Sequence, residues 1–374
     1  MDEVLDIPTE FLTDAELESL GKHLDKYKEL HDREEYQDKF LKFVKHVWPS
    51  FIAGDHHKIF GDKLERVARG ELKRLIVNMP PRHTKSEFAS YLFPAWVMGQ
   101  KPQTKIIQAT HTAELAVGFG RKVKNLLDSD IYRDVFPDIQ LARDAKASGR
   151  WSTDMGGEYY AVGVGGALAG RGADLCIIDD PVSEQDALSP AALDNIYEWY
   201  TSGPRQRLQP GGAIIIVMTR WSIRDLTAKV LQKQAEGGAD QWEVVEFPAI
   251  LPNDKLLWPE FWNKDELLRV KASLSPLKWN AQWRLDLDIT NVTSALSAVN
   301  LAGPLSREVL RQAGCDLDLS PEQFPYLAYR EATIGGIPTR LMRVGFVGEL
   351  GYELHVPSPL VGELWDRLMT AGQA

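Results

Sequence analysis

The chain has 374 residues, of which 44% are hydrophobic and 26% charged, a composition that suits two globular units and excludes a disordered or membrane-spanning class. A formal net charge of −10 excludes a protein that coats nucleic acid with a basic surface, leaving room only for a local basic patch, for which Arg205, Arg207, Arg220 and Arg224 are the candidates. Two cysteines, Cys176 and Cys315, exclude a disulfide framework, and the absence of a long apolar run or a signal-peptide layout predicts a cytoplasmic protein with no membrane partner.

In chain order, residues 10–48 are expected to be helical. Thr13 and Glu16 form a capping box, and Leu17, Leu20 and Leu24 fall on one face. Asp55-His56-His57 follows. Adjacent histidines could suggest a metal, but no third ligand is spaced for it, and a structural or adenine-side role is expected. A β-branched strand over 73–79 runs into Met79-Pro-Pro-Arg-His-Thr-Lys-Ser86, and a helix over 86–98 follows. That is the layout of a phosphate-binding loop: Pro81, Arg82, His83 and Thr84 supply the turn, backbone N–H groups face the phosphates, Lys85 reaches the outer phosphates and Ser86 binds Mg²⁺. The usual loop glycines are replaced by Met79 and Thr84. A Pro-Pro turn with a solvated lysine is the bland alternative.

Strands over 104–109 and 158–164 flank a helix over 112–128. The Gly-rich stretch 163–172 precedes a strand, not a helix, so it is a loop and not a dinucleotide fingerprint. The strand over 174–179 ends in Asp179-Asp180, at the edge where open α/β sheets bind ligands. Asp179 would hold Mg²⁺ through water, and Asp180 would orient or deprotonate the attacking water; a turn or helix cap is the alternative. After a helix over 187–201, the strand over 212–218 ends in Thr219-Arg220. Thr219 either senses the γ-phosphate or caps the helix over 222–236. A strand over 242–247 closes the series. This alternation predicts an α/β fold with a mostly parallel sheet and helices on both faces.

Met79–Ser86, Gly170-Arg-Gly-Ala-Asp-Leu-Cys-Ile-Ile-Asp-Asp-Pro181 and Val217-Met-Thr-Arg-Trp221 together resemble the ATPase half of tailed-phage terminase large subunits. The resemblance spans roughly residues 35–283 and includes Trp279-Asn-Ala-Gln-Trp283. It implies an ATP-driven motor that packages double-stranded DNA, working as a homo-oligomeric ring on a portal with a small terminase subunit in the host-cell cytoplasm. By the same resemblance Lys85 and Ser86 are the phosphate and Mg²⁺ ligands, Asp179 the metal-associated acid, Asp180 the catalytic acid and Thr219 the coupling residue. Arg171, in Gly170-Arg171-Gly172, is a candidate arginine finger acting on a neighbouring subunit, and Arg82 is its rival in cis. Two departures stand out. Thr84 replaces the loop glycine, which is tolerable if its φ is negative. Asp180 stands where many relatives have Glu, one methylene longer.

The resemblance stops at Trp283, and nothing after it looks like the nuclease that terminases carry, so no endonuclease activity is expected. Lysine occurs 21 times up to Lys278 and never afterwards, where about seven would be expected at the earlier usage. Residues 1–283 carry 36 basic and 42 acidic side chains, a net −6; the remaining seven arginines and eleven acids give −4. The expected organisation is an N-terminal helical segment 1–50, an ATPase domain 51–283 and a distinct α+β fragment 284–374. Residues 289–310 and Arg343-Val-Gly-Phe-Val-Gly-Glu-Leu-Gly-Tyr-Glu-Leu-His-Val-Pro357 resemble part of the folate-binding aminomethyltransferase module of glycine-cleavage T proteins and sarcosine oxidases. That resemblance implies that Glu349 contacts the pterin of tetrahydrofolate, a carboxylate being able to accept two hydrogen bonds from an aminopyrimidine edge. Two alternatives to the motor remain: a folate-dependent aminomethyl-transfer fragment, and a fusion of two truncated genes with neither activity intact.

Overall fold

In a computed structural model, residues 13–143, 147–252, 254–285, 296–345 and 349–373 are described, and the chain divides into two compact units, Met1–Leu287 and Asp288–Ala374. The first unit opens with α1 (Asp14–Asp38) and α2 (Phe40–Val47). Thr13 caps α1 as the sequence predicts, with its Oγ1 and N–H both bonded to Glu16. The expected helical stretch is interrupted at Lys39, whose backbone is extended. The reason is burial: α1 has no buried residue, whereas α2 sinks Phe40, Phe43 and Val44 into the core.

After α3 (Asp55–Arg69), seven strands form one sheet: β1 (Arg74–Asn78), β2 (Lys105–Thr110), β3 (Arg150–Ser152), β4 (Glu158–Gly163), β5 (Ala173–Asp179), β6 (Leu208–Met218) and β7 (Glu243–Glu246). Their spatial order is β3-β4-β2-β5-β6-β1-β7, parallel throughout except for β3, an edge strand too short to announce itself in the sequence. Successive side chains of a strand point to opposite faces. The apolar run of β6 therefore feeds two cores. Ala213, Ile215 and Val217 join Leu75, Val77 and Ile177 under the helices between Phe40 and Leu127. Ile214, Ile216 and Met218 join Ile76, Cys176 and Ile178 under the helices Pro190–Ser202 and Leu226–Glu236.

The connecting helices are α4 (Phe93–Gln100), α5 (Ala113–Leu127), α6 (Asp130–Arg133), α7 (Pro190–Ser202), α8 (Leu226–Glu236), α9 (Lys264–Ser273) and α10 (Pro276–Trp279). The helix expected from residue 86 begins as a π-helical stretch, Glu87–Leu92, before α4. Such bulges are frequent at functional sites. Trp279 and Trp283 stack 5.5 Å apart and, with Ala249 and Leu267, make a small satellite core.

The second unit is an antiparallel sheet of order β8-β11-β10-β9: β8 (Leu296–Ala302), β9 (Tyr329–Ile334), β10 (Ile337–Met342) and β11 (Gly351–Pro357). With α11 (Ser306–Gln312) and α12 (Val361–Ala371) it encloses its own core around Leu310, Phe324, Leu341, Tyr352 and Leu364. The fold class is thus α/β with a mostly parallel sheet, joined to an antiparallel α+β unit. Among the described residues no helix is long and apolar enough to cross a membrane.

Candidate functional site

β6 lies between β1 and β5, and the register aligns Asn78 with Met218 and Val217 with Asp179. The three strands therefore end level, and the loop 79–86, the Asp179-Asp180 pair and Thr219 meet at one carboxyl edge. Lys85, 6% exposed, places Nζ 2.9 Å from Asp180 Oδ2. The Thr219 backbone N–H donates to Asp180 Oδ1 at 2.7 Å. Asp180 is thus gripped from both sides, on a backbone forced to φ +40°.

Asp179, 2% exposed, accepts from Ser86 Oγ at 2.9 Å and from Ser90 Oγ at 2.7 Å. Residues four apart share a helix face, so the helix after the loop delivers both hydroxyls to one carboxylate. Gln108 Nε2 donates to Ser90 Oγ at 3.0 Å and fixes it in turn. Burial pushes the Asp179 carboxyl up to about 7, helped by the Asp180 charge and opposed by Lys85, Ser90 and Ser86. Ser90 and Gln108 were not predicted from the sequence; the only signal was a buried-type strand and helix carrying polar residues.

The loop corrects one expectation. Thr84 has φ +68°, not negative, and Arg82 has φ +62°. Positive φ at 82 and 84, and not at 83, alternates the hand of the backbone. Such alternation is the backbone pattern from which successive N–H groups can form a concave nest. Glycine reaches this conformation freely, whereas a β-branched residue is strained there. Side chains hold the strain: His83 Nδ1 bonds Pro81 O at 2.8 Å and Thr84 Oγ1 donates to His83 O at 2.6 Å. His83 also stacks on Trp262, with centroids 5.8 Å apart.

A cleft of about 390 Å³ opens beside the loop, lined by Arg82, Thr84, Lys85, Ser86 and Glu87 and walled by Trp48, Phe119, Trp258 and Phe261. It offers donors to an anion at one end and aromatic faces to a flat ring at the other. These aromatic walls come from distant segments and were not singled out from the sequence. Arg82 is exposed at the mouth of the cleft.

Other expected residues lie elsewhere. Arg171 stacks its guanidinium 4.5 Å from the Tyr160 ring centroid. Tyr160 is level with Cys176, three residues short of Asp179, on a strand two removed from β5. That puts Tyr160 about 10 Å along the sheet and about 10 Å across it from the carboxylates. Arg171 does not enter this chain's own site. The basic patch is largely consumed by pairing: Arg205 binds Asp240 at 2.6 Å, Arg224 reaches Asp194 at 3.4 Å, and buried Arg220 binds Asp225 at 2.9 Å. Thr219 does not cap α8; Asp225 does, accepting from the Ala228 N–H. His56 and His57 are buried behind the loop. Among the described residues no group of three or more His, Cys, Asp or Glu is placed to hold a metal.

In the second unit Glu349 stands exposed just ahead of β11; residues 346–348 of its motif lie outside the described residues. A cleft of about 500 Å³ in this unit is lined by Gln312, Glu363, Asp366 and Arg367 among others, and Glu349 is not part of it.

Residues 267–374 match the family model of the GCVT N-terminal domain. The alpha subunit of sarcosine oxidase from Corynebacterium sp. (strain U-96) is 34% identical over 104 residues, covering 26% of this chain and 11% of that protein. The aminomethyltransferase of Alkaliphilus metalliredigens is 37% identical over 89 residues, covering 24% and 23%. The chain thus spans only about a tenth of the sarcosine oxidase subunit. Solved structures similar to most of the chain are phage large terminases. The HK97 bacteriophage large terminase is 12% identical with a TM-score of 0.45, covering 87% of this chain and 69% of that one. The Thermus phage P74-26 large terminase ATPase domain is 14% identical with a TM-score of 0.41, covering 65% and 96%. At such values the functional reading rests on the site's own geometry.

Proposed function

We propose that residues 51–283 bind ATP with Mg²⁺ and hydrolyse it, as the nucleotide-driven half of a terminase-like DNA-packaging motor. The observation that supports this reading is the meeting of Lys85, Ser86, Asp179 and Asp180 at one sheet edge, beside a left-handed loop and an aromatic-walled cleft. Ser86 Oγ and the Asp179 carboxylate are hard oxygen donors, the kind that holds Mg²⁺ together with waters and phosphate oxygens. When bound, Mg²⁺ neutralises charge on the outer phosphates. The loop amides and Lys85 bind and orient the triphosphate. Lys85 must leave Asp180 to do so, and its departure frees the Asp180 carboxylate to take a proton from the attacking water. The Thr219 N–H keeps that carboxylate aimed. An arginine stabilises the charge that develops on the γ-phosphate, either Arg82 in cis or Arg171 from the next subunit of a ring. On this reading the partners are double-stranded DNA, a portal and a small terminase subunit, in the host-cell cytoplasm. ATP binding by the full chain and by Lys85→Ala tests it: affinity should fall steeply in the variant, and equal affinities would sink the idea.

A second reading concerns residues 284–374, as a fragment of a folate-dependent aminomethyltransferase. The match over 267–374 supports it. Tetrahydrofolate binding that disappears in Glu349→Gln would favour it; no binding by the full chain would leave the fragment without that role.

A further inference from the structure

Thr84 is the most strained residue of the phosphate loop, a β-branched side chain at φ +68° in a position that elsewhere invites glycine. Such a conformation persists only where the surroundings impose it. One side chain from outside the loop bonds it. His57, fully buried in the first turn of α3, lies 2.7 Å from Thr84 Oγ1 through Nε2.

The direction of that bond follows from its neighbours. The Gly54 N–H donates to His57 Nδ1 at 2.8 Å, so Nδ1 is the unprotonated nitrogen. The ring proton is on Nε2 and is donated to Thr84 Oγ1. The Thr84 hydroxyl proton then goes to His83 O. Each atom in this relay has one role, and the ring itself cannot turn away: Phe51, Phe88 and Trp258 pack against it with centroids 4.7, 5.0 and 4.9 Å distant. Burial and the adjacent His56 push the His57 imidazolium down to about 2, which keeps the ring in the neutral form that the relay requires.

We propose that His57 is a positioning residue for nucleotide binding, holding Thr84 in the left-handed conformation that turns the loop amides toward the phosphates. His57 touches no phosphate itself. It substitutes for the missing glycine: the loop's shape is imposed from α3 instead of being permitted by the residue. The inference rests on reading residues 79–86 as a phosphate loop.

A substitution cycle tests it, with the full chain and ATP plus Mg²⁺ titrated calorimetrically. His57→Ala should weaken ATP binding about tenfold, the scale of one released left-handed strain. Set against Thr84→Gly alone, the double variant His57→Ala/Thr84→Gly should lose less than about twofold, because glycine keeps the conformation unaided. A purely structural histidine would give the same loss in both backgrounds, and that result would overturn the proposal, as would unchanged affinity in His57→Ala. Should His57→Ala fail to fold, Thr84→Val carries the test. It keeps the β-branch but cannot accept the His57 proton, so its affinity should fall about tenfold; parent-like affinity overturns the clamp. No ATP binding by the parent chain overturns the phosphate-site reading itself, and the clamp with it.

Discussion

Asp180 carries two duties that its geometry separates. Its Oδ2 neutralises Lys85, and its Oδ1 is aimed by the Thr219 amide. On the proposed reading, Asn at this position keeps the shape and loses the base. Asp180→Asn should therefore cut turnover at saturating ATP by about 10²-fold or more while leaving ATP affinity intact or improved, since Lys85 is no longer held by a carboxylate. Weaker binding with unchanged turnover would assign Asp180 to another role. The buried histidines make a separate, pH-dependent prediction. Burial first, then neighbouring charge, pushes His56 and His83 down to about 4 and His57 to about 2. Groups whose folded values are depressed add stability above their unfolded value near 6.5 and lose it as pH falls toward the folded values. The urea midpoint should drop between about pH 7.5 and about pH 5. His56 is buried against the rings of Phe247 and Trp258, so His56→Leu should make that drop shallower; an identical slope would show that His56 does not contribute.

At the scale of elements, the corner from β6 to α8 is held by one carboxylate. Asp225 is fully buried, pairs with Arg220, accepts from the backbone of Trp221 and Ser222, and caps α8 through the Ala228 N–H. Removing it leaves the buried Arg220 charge with only a 3.5 Å contact to Glu246. Asp225→Ala should cost about 3–5 kcal/mol in urea unfolding. Arg224→Ala breaks only an exposed pair with Asp194 and should cost less than about 1 kcal/mol. Similar losses for the two would refute the special weight given to this corner. The same corner sets Thr219 at the strand tip, so its amide rather than a helix cap meets Asp180.

At the scale of the whole molecule, the proposed ATPase calls for an arginine, and two candidates differ in place. Arg82 stands at the mouth of its own cleft, while Arg171 is tied to Tyr160 away from its own carboxylates. On the proposed reading, a residue so placed would act on another copy. Arg171→Ala and Lys85→Ala subunits should each be inactive as ATPases, and a mixed assembly should regain activity if the arginine works in trans. A finger contributes about 10³–10⁵ in rate, so recovery would be plain. A demonstrably mixed assembly that stays inactive would turn the role to Arg82.

The sequence by itself determined the order of elements and which polar residues stand at the strand ends. Continuous apolar runs that end at Met79, just before the Lys85-Ser86 loop, at Asp179-Asp180 and at Thr219 mark parallel strands and their carboxyl ends, because local pattern reports burial and strand ends alike. Lysine usage changes after Lys278, and the second compact unit begins at Asp288. Tertiary structure alone decided what those residues touch. Thr84 Oγ1 meets His57, 27 residues away, and no local pattern carries that contact. Ser90 and Gln108 reach Asp179 only because β2 lies beside β5, and the cleft walls Trp48, Phe119 and Trp258 meet only through folding. Arg220 looked like a surface cation until packing enclosed it with Asp225. Contacts between distant segments are set by packing, and packing is a property of the folded chain, not of any stretch of it.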